Sequence, residues 1–244
     1  MKKRFLFDLD DTLIWTTHDY SYPLLEFARF VIERVGPKSP NVPAILNLQE
    51  SIDDTRIKKW LPLEKGFSKE RFPTSMAETY RKICQPLGIV DKKGEELAYK
   101  IGTKAFDVKR WQEQGLVPEA EDVLKYLRKK GDELYVLTKG DREVQQMKID
   151  SKGLEPLVDK VCIEPDKNSE IILKYCNGIP KENIWLVGDS KDSDVLPSIE
   201  AGIGIIYLPM PNWKFENSEK EIPPYERLIT LKNISQIKEI YNKL

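Results

Sequence analysis

Residues 4–13 read RFLFDLDDTL. Phe5, Leu6 and Phe7 form an unbroken apolar run that ends in a cluster of acids at Asp8, Asp10 and Asp11. A strand covered by helices on both faces of a parallel sheet is apolar throughout, rather than alternating. The stretch therefore predicts a short, buried strand with carboxylates at its carboxyl end. Runs of the same kind recur at 133–138 (ELYVLT), 158–163 (VDKVCI), 183–188 (NIWLVG) and 204–208 (GIIYL). Helical patterns lie between them, at 119–130, 168–176 and 194–201; in the first, Val123, Leu124 and Leu127 share a face and Gly131 ends the helix. Strands alternating with helices predict an α/β fold with a doubly wound, Rossmann-like parallel sheet. The tail adds an edge strand at 227–231 (RLITL) and a final helix at 234–244.

The alternation breaks between residues 14 and 116. Amphipathic patterns at 22–35, 75–87 and 95–112 are separated by turns containing Pro and Gly, and no strand run stands out. A structureless loop of that length is improbable in a compact domain. The reading is an inserted all-helical cap domain at 15–116, with the core built from 1–14 and 117–244. Trp15, His18 and Tyr20, just past the first acidic cluster, either line a pocket under this insertion or pack its linker. Trp213 is expected at the seam between domains or as an anchor for the tail.

The bulk numbers narrow the function. The chain has 244 residues, 40% hydrophobic and 32% charged, enough to bury a core and solvate a surface. Its 39 basic and 40 acidic side chains leave a formal net charge of −1. No global field attracts nucleic acid or an anionic membrane, so neither is expected as a partner. No run approaches the ~20 apolar residues of a membrane span, and no signal-peptide pattern is present, which gives a cytoplasmic expectation. Cys84, Cys162 and Cys176 are odd in number and lack a CxxC pair, so they read as reduced thiols. No linker or charge block marks a protein partner; a monomer or small homo-oligomer is expected.

Four segments lie just past the carboxyl ends of predicted strands, the edge where open α/β sheets bind ligands. The first is Asp8-Leu9-Asp10-Asp11-Thr12-Leu13. Acids at i and i+2 leaving a strand can point to one side, and their repulsion asks for a cation or a proton. Magnesium, which prefers oxygen ligands, would serve. The second is Thr138-Lys139-Gly140, where a hydroxyl and turn N–H groups can meet phosphate oxygens. The third is Pro165-Asp166-Lys167, whose lysine can offset anionic charge; Lys160 competes but starts its strand, at the wrong edge. The fourth, Gly188-Asp189-Ser190-Lys191-Asp192-Ser193-Asp194, collects acids on one loop, as a hard-metal site would. Taken singly, each has an ordinary structural explanation as a helix cap, a turn or a solvated lysine.

In order, DxDxT, Thr, Lys and GDxxxxD resemble the haloacid dehalogenase superfamily, over residues 4–10 and about 117–208. The resemblance implies a nucleophile at Asp8 and a general acid/base at Asp10, whose main-chain carbonyl also meets the metal. It implies phosphate contacts at Thr12, Thr138, Lys139 and Lys167, a catalytic charge at Lys167, metal ligation by Asp8, Asp10 and Asp189, and support of the metal shell by Asp194. Lys139 stands where many relatives carry Asn, so local phosphate contacts are expected to differ. The insertion resembles a helical cap of the first type, longer than compact versions. The dehalogenase branch attacks carbon and has no need of an acid at i+2; Asp10 therefore points to the phosphatase branch. The expectation is a Mg2+-dependent phosphohydrolase acting on a small phosphorylated metabolite through an aspartyl-phosphate. The alternatives are a phosphotransferase or phosphomutase on the same core, and a non-catalytic phosphate-binding module.

Overall fold

The structure, a computed structural model, describes residues 2–63, 67–210 and 221–244; Trp213 lies outside the described residues. In chain order the main elements are β1 (Arg4–Phe7), α1 (Thr16–Val35), α2 (Val42–Trp60), α3 (Arg71–Cys84), α4 (Lys92–Thr103) and α5 (Val108–Gln114). They continue with α6 (Ala120–Lys129), β2 (Glu133–Lys139), α7 (Arg142–Lys152), β3 (Lys160–Glu164), α8 (Ser169–Lys174) and β4 (Ile184–Gly188). The chain ends with α9 (Leu196–Ala201), β5 (Gly204–Tyr207), β6 (Leu228–Thr230) and α10 (Ile237–Ile240). Two compact units form: Met1–Thr17 with Lys109–Leu244, and His18–Val108. Residues 109–116, read from the sequence as the end of the insertion, group with the first unit.

The first unit is built on a six-stranded sheet of order β3-β2-β1-β4-β5-β6, parallel throughout. Phe7 is in register with Val136 on one side and Val187 on the other. Strand order reverses between β1 and β4, the switch point where doubly wound sheets open a ligand crevice. The two faces sort by period two. Phe5, Phe7, Trp185 and Val187 pack with Val123, Leu124 and Leu127 of α6. Leu6, Ile184 and Leu186 pack on the other face with Ile172 of α8 and Ala201 of α9. Phe5, Leu6 and Phe7 are wholly buried, each worth roughly 1.5–3 kcal/mol over the exposed side chain.

A buried arginine ties down the amino end of the central strand. Arg4 donates from Nε (2.7 Å) to Glu133 Oε2, and from Nη1 to the carbonyls of Tyr175 (2.7 Å) and Asn177 (2.8 Å). The tail is less regular than the single helix read at 234–244: short 3-10 turns flank the four-residue α10. Its end is pinned where the Tyr241 hydroxyl donates to Asp132 (2.8 Å). All three cysteines are buried free thiols.

Among its described residues the second unit has helices and no strand. Phe27 and Val31 of α1, Ile45 of α2, Phe72, Met76 and Tyr80 of α3, and Ala98 and Ile101 of α4 share one core. Tyr20 packs edge-on against Phe72, with ring centroids 4.8 Å apart, and against Phe106 at 6.2 Å. Close packing of α3 on α4 depends on Gly102, where a Cβ would lie 2.6 Å from the Pro73 Cα. Asp91 caps α4 by accepting from Gly94 N (3.0 Å) and also accepts from Tyr80 Oη (2.8 Å) and Arg34 Nε (2.8 Å). Arg34 first, then Tyr80, holds the Asp91 carboxyl well below the usual range.

No apolar pattern in the sequence marks α2 or α7, although a strand-to-helix turn at Thr138-Lys139-Gly140 implies a helix where α7 begins. Both bury polar side chains among the apolar ones: Gln49 and Asp53 in α2, Gln145 and Lys148 in α7. Amphipathic periodicity is blurred when polar residues occupy the inward face. Among the described residues no helix is long and apolar enough to cross a membrane.

Candidate active site

The site assembles where β1 and β4 end. Asp8 follows β1, and its N–H donates to the Val187 carbonyl of β4 (2.8 Å), locking the two strand exits together. Lys167 reaches the same place from the loop between β3 and α8, a helix capped by Asn168, which accepts from Ile171 N (3.0 Å). Lys167 is 3% exposed. Its ammonium donates to Asp8 Oδ1, pairs with Asp194 Oδ1 (2.6 Å) and lies 3.3 Å from the Leu137 carbonyl. Burial works against that charge, but attraction from Asp194 and then Asp8 outweighs it and raises the lysine pKa. Lys160 stands at the start of β3, with Nζ 5.2 Å from the Tyr175 ring centroid.

After β4 the chain makes a five-residue π-helical turn, Lys191–Val195, before α9. Ser190 caps it by accepting from Ser193 N (3.1 Å), and Asp194 turns back to accept from Ser190 N (2.9 Å). Single π turns of this kind often sit at functional sites. The result brings carboxylate oxygens of Asp8, Asp189 and Asp194 within 4.8 Å of one another. Burial first, then mutual repulsion, pushes Asp8 and Asp189 above the usual carboxylate range, with Lys167 pulling the other way. Three crowded carboxylates with one ammonium suit a hard divalent cation such as Mg2+, whose charge would relieve the repulsion. Thr12 is buried, its hydroxyl at a long 3.5 Å from Asp189 Oδ1.

The Asp10 carboxylate is not part of that group. Its Oδ1 accepts from Lys148 Nζ (2.7 Å) and from the Thr16 hydroxyl; its Oδ2 accepts from Gln145 Nε2 (2.8 Å). Burial opposes the charge on Asp10, but Lys148, with the hydrogen bonds of Thr16 and Gln145, outweighs it and lowers the pKa. The repulsion between Asp8 and Asp10, for which the sequence asks a cation or a proton, is thus met at Asp10 by an ammonium from α7. The metal contact implied for Asp10 involves its main-chain carbonyl, a separate atom. The turn that carries Asp10 is tight: Leu13 N and Ile14 N both donate to the Leu9 carbonyl, at 2.9 and 3.1 Å. It places Asp11 at a φ of 54°, and the Asp11 carboxylate accepts from Thr17 N (2.9 Å). A non-glycine residue in that region is uncommon and is held by its surroundings.

Thr138, at the carboxyl end of β2, is buried, and its Oγ1 accepts from the same Gln145 amide at 2.6 Å. Lys139, the next residue, donates to Ser193 Oγ (2.6 Å), linking the β2 exit to the loop after β4. The structure therefore brings Asp8, Lys167, Asp189 and Asp194 into one cluster, and Asp10 with Thr138 into a second. Gln145, Lys148 and Thr16 were not anticipated. The available signal was a helix directly after Thr138-Lys139-Gly140, starting at the Asp141 cap, with polar residues three apart.

No curated protein is a detectable sequence relative. Solved structures share the fold. A haloacid dehalogenase-like family hydrolase from Xanthomonas campestris superposes with a TM-score of 0.73 at 17% identity, covering 99% of this chain and 95% of that one. YfnB from Bacillus subtilis, a HAD-hydrolase bound to magnesium, gives 0.62 at 17% identity, with 99% and 100% covered. L-2-haloacid dehalogenase from Xanthobacter autotrophicus, with chloropropionic acid covalently bound, gives 0.58 at 13% identity, each chain covered fully at 100%. At such identities the likeness speaks for the fold alone. The sequence profile of the haloacid dehalogenase-like hydrolases, however, matches residues 2–202, and the chain belongs to that family.

Proposed function

We propose that this hydrolase is a Mg2+-dependent phosphohydrolase that releases phosphate from a small phosphorylated metabolite through an aspartyl-phosphate on Asp8. The observation that carries the reading is a division of labour between two carboxylates two residues apart. Asp8 lies in the carboxylate cluster against Lys167, while Asp10 is held apart by Lys148, Thr16 and Gln145. A dehalogenase, which attacks carbon, has no use for a second carboxyl group built in this way. A phosphatase needs a proton for the departing alkoxide and later a base for water.

In the first step an Asp8 oxygen bonds to phosphorus and the ester P–O bond breaks. Asp10, entering the step as the protonated acid, gives its proton to the leaving oxygen and is left as the carboxylate that Lys148 stabilises. In the second, Asp10 takes a proton from water as the water oxygen attacks the aspartyl-phosphate; inorganic phosphate leaves and Asp8 is regenerated. Lys167 balances negative charge beside Asp8, and the Thr138 hydroxyl is placed to donate to a phosphate oxygen. Asp8, Asp189 and the main-chain carbonyl of Asp10 would hold Mg2+, with Asp194 supporting; the ion supplies positive charge for the phosphoryl oxygens.

Phosphate release from a panel of metabolite phosphate esters tests the reading, with magnesium or with chelator, for wild type and Asp8→Asn. Metal-dependent turnover that Asp8→Asn loses by more than about a hundredfold supports it. Retention of more than a few per cent of activity by Asp8→Asn would end the covalent mechanism. Dephosphorylated product without stoichiometric inorganic phosphate would assign the chain to phosphoryl transfer instead.

A further inference from the structure

We propose that Lys148 and Gln145 of α7 are positioning residues: Lys148 fixes the carboxylate that handles the proton, and Gln145 couples it to the phosphate-facing hydroxyl of Thr138. The proposal rests on the phosphohydrolase reading.

The inward face of α7 comprises Val144, Gln145, Lys148 and Ile149. A helix that only covered a sheet would carry apolar residues at all four positions. A buried ammonium is expensive unless paired and hydrogen-bonded, and Lys148 is 5% exposed. Its Nζ lies 2.7 Å from Asp10 Oδ1. Gln145 is equally committed, 2.8 Å from Asp10 Oδ2 and 2.6 Å from Thr138 Oγ1, both from Nε2. An ionised carboxylate only accepts, so the amide must present its nitrogen to Asp10. The second N–H of that nitrogen then serves Thr138. A Thr oxygen that accepts from Gln145 directs its own hydrogen to some other acceptor, and a phosphate oxygen is the acceptor the mechanism supplies.

The backbone is shaped around this amide. Gly140 follows Thr138-Lys139 at a φ of +143°, and a Cβ there would lie 3.3 Å from Gln145 Cγ. With Thr16 and Lys148 on Oδ1 and Gln145 on Oδ2, the Asp10 carboxylate is fixed in position and in plane. A misplacement of about 1 Å in such a group can lower a rate by about a hundredfold. The loss of Lys148 should appear only where proton delivery matters.

Leaving-group dependence separates positioning from general damage. The probes are 4-nitrophenyl phosphate, whose leaving group departs without a proton, and the alkyl ester that wild type turns over best in the metabolite panel. In Lys148→Met and in Gln145→Leu, kcat/KM for the alkyl ester should fall on the order of a hundredfold. For 4-nitrophenyl phosphate it should change by no more than about threefold in Lys148→Met, whereas Gln145→Leu, which also releases the Thr138 hydroxyl, should lose activity on both esters and more on the alkyl one. Lys148→Arg should recover part of the alkyl activity. In an Asp10→Asn background, Lys148→Met should add no further loss, since the residue acts through Asp10. Equal losses on both esters in either variant, or additive losses of Lys148→Met with Asp10→Asn, would overturn the positioning role while leaving the phosphohydrolase reading intact. If wild type with Mg2+ hydrolyses neither ester, the reading and the positioning role fall together.

Discussion

A Cβ built on Gly188 would lie 2.3 Å from the carboxylate of Asp194, so β4 runs against that side chain with no room for one of its own. Asp194 is wholly buried, accepts from Ser190 N and pairs with Lys167. Gly188→Ala must therefore push Asp194 off Ser190 or off Lys167. Overpacking of this kind destabilises by about 1–3 kcal/mol, and here the displaced atoms belong to the site. Thermal melting should show a clear drop, and phosphate release should fall further than the melting curve explains. A Gly188→Ala protein with wild-type melting and turnover would show that the close approach is dispensable.

Lys167→Met leaves Asp8 and Asp194 facing each other in a buried space without an ammonium. Removing one partner of such a pair is expected to destabilise by about 3–5 kcal/mol. The effect should depend on pH. The lysine pKa is raised on folding, so its contribution is complete below the ordinary lysine range and does not change between pH 5.5 and 8.5 in wild type. In the variant, protons must replace it on the carboxylates, and protons are scarcer at higher pH. Urea unfolding at both pH values should show the larger deficit at pH 8.5; a deficit independent of pH would contradict this account.

Without metal, the crowded acids set a slope of their own. Asp8 and Asp189 have pKa values raised above those of an unfolded chain. Between the ordinary carboxylate range and those raised values the native state binds more protons than the unfolded one, so stability falls as pH rises. The chelator-treated protein should melt lower at pH 8.5 than at pH 6 through this site. Mg2+ should raise the melting temperature more at pH 8.5, where fewer protons compete for the oxygens. Asp189→Asn should flatten the metal-free slope and weaken the Mg2+ effect. The measurement is a melting series in chelator and in Mg2+; identical Mg2+ effects at both pH values would count against the carboxylate cluster as the metal site.

In the helical unit, Asp91→Ala removes the cap of α4 along with acceptors for Tyr80 and Arg34. Loss of an N-cap costs about 0.5–2 kcal/mol. Denaturant unfolding of Asp91→Asn, which keeps a capping oxygen, should recover part of the loss. No recovery would place the effect in the Arg34 pair rather than in the cap.

The strands of the sheet were legible because burial on both faces writes them as uninterrupted apolar runs, as in Phe5-Leu6-Phe7 and in 183–188. The acids were legible because each follows such a run, which fixes the edge on which Asp8 and Asp189 emerge. The surroundings of Asp10 were not. Lys148 and Gln145 occupy the inward face of α7, where a periodicity search looks for apolar residues, so the helix and its role were obscured together. The same holds in α2, where Gln49 and Asp53 are buried between Ile45 and Ile57. Asp194 illustrates a different limit: spacing put it on the right loop, but only the π turn brings its carboxylate against Lys167.

Arg4 gives the short central strand a fixed origin. β1 is only four residues long, and Asp8 is the next residue after it. The guanidinium grips Glu133 and the carbonyls of Tyr175 and Asn177 at the opposite end of the strand from the acidic cluster. A slip of one residue would exchange the faces of Phe5, Leu6 and Phe7 and draw Arg4 out of all three holds at once. The address of Asp8 is thus written at the far end of its strand, by a side chain remote from the carboxylate cluster.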